Sequence, residues 1–91
     1  MDLYTSNKFA VAIFDSTHLA LAGEKAAQRE QIPHVVIPTP RELTASCGLA
    51  LKFDKCNLTA LQQALLGQKV PAKFYYIDRE NTTVAELESL V

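Results

Sequence analysis

The segment KFAVAIF, residues 8–14, constrains this chain more than any other stretch. It is apolar almost throughout, with Phe9, Val11 and Ile13 on one parity, and that pattern reads as a central β-strand. Asp15, Ser16 and Thr17 follow, and each can cap the N-terminus of a helix. From His18 to Gln31 the chain is rich in Ala, Leu, Glu, Lys and Gln, all good helix formers. Leu19, Ala22 and Ala26 share one face, narrow enough to let the helix sit close on a sheet. Gly23 lowers the propensity without breaking the helix.

Pro33 ends that connection, and HVVI (34–37) reads as a short strand. Pro38 and Pro40 forbid regular structure just beyond it, because neither can donate a backbone hydrogen bond. PRELTAS (40–46) fits one helical turn, since proline is tolerated at a first helical position. LALKF (49–53) alternates Leu49, Leu51 and Phe53 against Ala50 and Lys52, the pattern of a half-buried strand. Asn57 is a suitable N-cap for a second helix. Leu58, Leu61 and Leu65 give that helix its apolar stripe, and Gly67 its stop. AKFYYI (72–77) reads as a strand, and Thr83-x-x-Glu86 as a capping box that opens a short C-terminal helix.

The order is strand, helix, strand, long loop, strand, helix, strand. It predicts an α+β domain of the ferredoxin-like, split β-α-β kind, with an antiparallel sheet and both helices on one face. At 91 residues, one domain over 1–91 is the sensible count. A hydrophobic fraction of 48 % suffices for one modest core. The formal net charge of −1 gives no electrostatic reason to expect nucleic acid or an anionic membrane. No apolar run approaches the roughly 20 residues of a membrane helix. MDLYTSNK lacks a basic start and an apolar signal core, so no export is expected. With only Cys47 and Cys56 as thiols, a reducing, cytoplasmic setting with both cysteines free is the expectation.

In this topology the first helix starts where the first strand ends, and the 38–48 loop is expected at the same pole. Ser16, Thr17, His18, Arg41 and Cys47 would then share one end of the sheet. A helix N-terminus carries partial positive charge, Arg41 carries a full one, and both lower the pKa of a neighbouring thiol. A thiolate attacks sulfur, selenium or carbonyl electrophiles. Gly48, lacking a side chain, leaves room for a partner at the Cys47 sulfur. The plainer reading makes Cys47 a small packed hydrophobe, His18 a polar first-turn residue and Arg41 a loop-bracing charge. Cys56 belongs to the opposite pole. At about 3.3 Å per extended residue it lies too far along the chain for a disulfide to Cys47. His18, His34, Cys47 and Cys56 do not converge on a zinc geometry, and no metal or cofactor is expected. Phosphate-loop, dinucleotide, metalloprotease and calcium-loop motifs are absent. Phe74, Tyr75 and Tyr76 are consecutive, so they alternate faces and read as edge-strand packing rather than an RNA platform.

DSTHLALAGEK near the start and IPTPRELTASCGLAL in the middle together resemble a small bacterial domain family described as selenium/sulfur carrier protein-like. Its pattern is a strand, a Ser/Thr-rich start to an Ala-rich helix, then Pro-Thr-Pro-Arg leading to Ser-Cys-Gly and a strand. The likeness spans about residues 8 to 77, and its second block is the specific part. The resemblance implies a carrier rather than a turnover enzyme. Cys47 would be the carrier thiol, with Arg41 and His18 assisting and Thr39, Ser46 and Gly48 contacting the cargo. A cysteine desulfurase-type donor and an acceptor protein would be the partners. Two other readings stay open. One is an interaction module that pairs as a homodimer through Val84, Leu87, Leu90 and Val91. The other is an acylphosphatase-like enzyme, supported by fold analogy alone.

Overall fold

A computed structural model describes residues 3, 5–43 and 48–88 of the chain. The elements are β1 (Lys8–Ile13), α1 (Thr17–Arg29), β2 (Val35–Pro38), β3 (Leu49–Phe53), a 3-10 turn (Lys55–Asn57), α2 (Leu58–Gly67), β4 (Lys73–Asp78) and β5 (Thr83–Leu87). In β1 every residue after Lys8 is buried, so the strand needs cover on both faces. Ser16 supplies the cap of α1: its backbone is extended, and its hydroxyl accepts the Leu19 N–H at 3.1 Å.

The sheet runs β2-β3-β1-β4-β5, and every neighbouring pair is antiparallel. β1 and β2 therefore run the same way with β3 between them, and β3 and β4 run the same way with β1 between them. That is the ferredoxin-like split β-α-β arrangement, to which β5 adds a fifth strand.

The helices lie on one face. Ala20, Ala26 and Ala27 of α1 and Leu61 and Leu65 of α2 pack on Ala10, Ala12, Phe14, Leu51, Phe53 and Phe74. Phe53 and Phe74 meet edge to face at 6.3 Å. The buried stripe of α1 is Ala20, Gly23, Ala26 and Ala27, whereas Leu19 and Ala22 are half-buried. The stripe is thus rotated from the expected one. Gly23 explains the rotation, because a Cβ there would come within 2.6 Å of Phe14 Cζ. The Phe14 ring occupies the room that the missing side chain leaves.

The opposite face carries a second cluster of Phe9, Val11, Ile13, Ala50 and Ile77, with Ile37, Leu43 and Tyr75 packed against it. Among the described residues no helix contributes to it, and its cover from outside the sheet comes from Leu43, in the β2–β3 connection. β3 is consequently buried on both faces rather than one, and Lys52 is only 7 % exposed.

The tail corrects the expectation of a C-terminal helix. Thr83 pairs with Asp78 and Leu87 with Phe74, which makes a β-hairpin with β4. The Asp78 carboxylate accepts the N–H groups of Glu80 and Asn81 and the Asn81 amide, and Thr82 takes a left-handed φ of 55° to close the turn. Leu87 packs on the helix-side core, and the buried Gln62 side chain donates to the Glu88 carbonyl. The free edge of β4 outweighs the capping-box signal, since pairing satisfies a whole row of backbone groups. Phe74, Tyr75 and Tyr76 alternate faces as expected, but β4 is an interior strand rather than an edge.

Two local signals also resolve differently. Asn57 makes no side-chain capping bond; Asp54 instead accepts the Cys56 N–H at 3.0 Å and caps the 3-10 turn ahead of α2. α2 does end at Gly67, but the left-handed residue is Lys69 (φ 58°), and the Val70 N–H closes onto the Leu65 carbonyl at 2.9 Å. α1 closes in the same way, with Gln31 left-handed and the Ile32 N–H on the Ala27 carbonyl.

Candidate functional site

The β2–β3 connection is the longest in the chain, and its ends are tied where the two strands separate. Pro38 pairs with Leu49, and the Thr39 N–H donates to the Gly48 carbonyl at 3.0 Å. Thr39 is the only donor between two prolines, so it alone can make that closure. A turn follows, with the Leu43 N–H on the Pro40 carbonyl at 3.0 Å, and Leu43 lies on the helix-free cluster. A helical turn is expected over 40–46; its described part, 40–43, is a single turn. Thr44, Ala45, Ser46 and Cys47 lie outside the described residues, and with them the expected carrier thiol.

Glu42 fixes the path of the connection. Its carboxylate takes both prongs of the Arg79 guanidinium, Nε to Oε2 at 2.8 Å and Nη2 to Oε1 at 3.2 Å. The Arg79 N–H in turn donates to the Asn7 carbonyl at 2.8 Å, next to the start of β1. The hydrogen bond from Arg79 holds the Glu42 carboxyl below its ordinary pKa, and the same bond pushes the guanidinium further up. The connection therefore leaves the end of β2 and folds along the helix-free face toward the opposite pole.

At that pole the Phe9 ring lies between two cations, Lys52 Nζ at 4.4 Å from its centroid and the Arg79 guanidinium at 5.4 Å. Lys52 Nζ also donates to the Ser6 carbonyl at 3.1 Å. Above them opens a cavity of about 410 Å³, lined by Phe9, Ile37, Pro38, Thr39, Pro40, Arg41, Lys52 and Arg79. A smaller cavity of about 270 Å³ adjoins it, sharing Arg41 and Arg79 and reaching the β4–β5 turn.

The family model described as "Putative Se/S carrier protein-like" matches residues 9–77, from β1 to β4. The chain belongs to this family. No curated protein and no solved structure matches it. The span matched by the carrier-like family contains Arg41, Cys47 and the whole β2–β3 connection, and it stops short of β5.

The residues expected at one pole are divided between two. Ser16, Thr17 and His18 sit at the start of α1, beyond the last residue of β1, with His18 exposed on the helical layer. Arg41 is exposed on the helix-free face, beside Arg79 and hence near the first residue of β1. The pull of Leu43 and the Glu42–Arg79 pair accounts for the displacement. Arg41 makes no hydrogen bond or ion pair among the described residues. Thr39 is half-buried at the loop closure, and Gly48 is exposed, with nothing within 4 Å of where a Cβ would stand.

Cys56 is the thiol within the described residues, and it is exposed. The hydrogen bond to the Asp54 carboxylate raises its pKa above the ordinary thiol value, with Asp54's negative charge acting in the same direction. That environment favours the thiol over the thiolate. Among the described residues, no three His, Cys, Asp or Glu side chains gather as a metal site would require, and no helix is long and apolar enough to cross a membrane.

Glu42, Lys52, Phe9 and Arg79 did not stand out in the sequence. Glu42 and Arg79 are 37 residues apart, and nothing local marks them as a pair. Lys52 carried one signal, a lysine inside an otherwise apolar strand, which the alternation pattern absorbed as a solvent-facing residue.

Proposed function

We propose that the chain carries sulfane sulfur or selenium on Cys47, receiving it from a desulfurase-type donor and handing it to an acceptor protein. The observation that carries this reading is the family match, whose span includes Cys47 and the connection that bears it. The balance of the transfer is simple. The Cys47 thiolate attacks the terminal sulfur of a donor persulfide, the donor's S–S bond breaks, and the donor cysteine leaves as a thiolate. Cys47 then holds –S–SH, and an acceptor nucleophile removes the outer sulfur by the same exchange. Selenium follows the same steps. The chain binds no cofactor in this scheme and turns over only by meeting its two partners.

Residues near Cys47 in sequence suit the role. Gly48, next to Cys47 in sequence, has nothing within 4 Å of where a Cβ would stand. In this scheme Arg41, six residues before Cys47 in the same connection and without an ion pair among the described residues, is the cation assigned to favour the thiolate. His18 belongs to the other face of the sheet and is given no step. Cys56 is held toward its protonated form by Asp54 and is a poor competitor. A reducing cytoplasm keeps such a thiol available.

Incubation with a cysteine desulfurase and cysteine, followed by intact mass measurement, tests the reading. The Cys56→Ser variant should gain about 32 Da per sulfur, and the Cys47→Ser variant should gain nothing. Absence of any adduct on a Cys47 that alkylates readily, or an adduct confined to Cys56, overturns it.

Pairing of two copies through the tail is the second reading. Leu87, one of its four apolar residues, packs inward on the helix-side core, while Val84 is 42 % exposed on β5, an edge strand of the sheet. Leu90 and Val91 lie outside the described residues.

A further inference from the structure

We propose that the cavity on the helix-free face is a binding site for a small-molecule oxyanion, a phosphate or carboxylate group, with Arg41 as its principal ligand. The argument does not depend on Cys47. Among the described residues the cavity's lining holds three cationic side chains, Arg41, Lys52 and Arg79, and no acidic one, with the Glu42 carboxylate bound to Arg79 outside the lining. In a chain whose formal net charge is −1, such a concentration is local rather than a by-product of composition. Its volume of about 410 Å³ falls in the range of small-molecule sites.

The three cations are unequally committed. Arg79 gives two donors to Glu42, and Lys52 gives one to the Ser6 carbonyl. Both are thereby held in place at the Phe9 ring, where Lys52 supplies a fixed positive charge while the Glu42 carboxylate offsets that of Arg79. Arg41 spends no donor within the described residues, and its planar fork suits a bidentate oxyanion. Pro38 and Pro40 stiffen the wall from which Arg41 projects, so little backbone order has to be gained on binding. Ile37 and the prolines give that wall an apolar character, which a ligand with an organic body would cover.

Titration of the full-length, isotope-labelled protein at low ionic strength, followed by amide and arginine Nε NMR signals, tests the site. The probes are inorganic phosphate, phenyl phosphate and benzoate. Saturable shifts centred on Thr39, Arg41, Lys52 and Arg79 are expected. The Arg41→Ala variant should bind about tenfold more weakly, as loss of one charge-assisted bidentate contact implies. Arg29→Ala, on the helical layer, should bind like the parent chain. Glu42→Gln should bind more tightly, because it releases the Arg79 fork. Phenyl phosphate binding more tightly than phosphate assigns the site to organic ligands; equal binding assigns it to the free anion. Shifts that never saturate, that scatter over surface lysines, or that persist unchanged in Arg41→Ala overturn the proposal.

Discussion

The two faces of the sheet are covered by different means. On one, α1 and α2 lay down a packed layer in which Phe14, Phe53, Phe74, Leu61 and Leu65 are all almost wholly buried. On the other, among the described residues, a turn of the β2–β3 connection contributes the half-buried Leu43 and is clasped by the Glu42–Arg79 ion pair. The helical layer is held by area, at about 25 cal/mol for each Å² of apolar surface removed from water. The described part of the loop layer is held at few points. A protein that needs rigidity in one place and access in another can obtain both from a single sheet in this way. The matched family span includes both layers, and Cys47 falls within the β2–β3 connection in sequence.

The largest expected effect tests the helical face. Phe74→Ala removes a fully buried ring from the centre of that core, together with its edge-to-face contact to Phe53. A loss of about 3–5 kcal/mol is expected in urea denaturation, a large share of the stability of a domain of this size. A loss below about 1 kcal/mol would mean that the helical layer is not the stabilising one, and the contrast between the faces would be gone.

Leu43→Ala is the matching change on the other face. Leu43 is only partly buried and its loop can settle inward, so the loss should be about 1 kcal/mol. Hydrogen exchange sharpens the comparison. The Thr39 and Leu43 amides should exchange faster, while the amides of β1 remain protected at the global level. Acceleration throughout β1 would show that the connection is integral to the core rather than a cover laid over it.

The fold was largely legible because its signals are local. The apolar KFAVAIF strand, the Ser16 cap, the Leu61 and Leu65 stripe and the alternation in 49–53 each identified their element, and the element order specified the split β-α-β arrangement. The failures share a cause. Thr83-x-x-Glu86 describes a helix start, yet the edge of β4 recruits the same residues as β5. Asn57 is a suitable cap, yet Asp54 reaches a backbone N–H first. In both cases tertiary or neighbouring groups outbid a local preference. Arg41 and Cys47 were legible as residue types that suit thiol chemistry, but the position of Arg41 was not. It depends on Glu42 meeting Arg79 across 37 residues, which no pattern in one sequence reveals.

The smallest effect concerns that clasp, and it separates tethering from packing. Side-chain exposures of 24 % for Glu42 and 45 % for Arg79 place the pair at the surface. Glu42→Gln should therefore cost no more than about 1 kcal/mol, and less in high salt. Its pH dependence has a definite sign. The Glu42 pKa is lowered in the folded protein, with the Arg79 hydrogen bond as the foremost cause. The contribution is thus complete above the unfolded carboxyl's value of about 4.3, and it disappears as pH falls through the lower folded value. Denaturation of the parent chain and of Glu42→Gln should differ at neutral pH and converge in acid. Curves that stay equally separated at every pH would assign the difference to loop packing rather than charge. The loop-covered face would then resemble the helical one more closely than the contacts across it suggest.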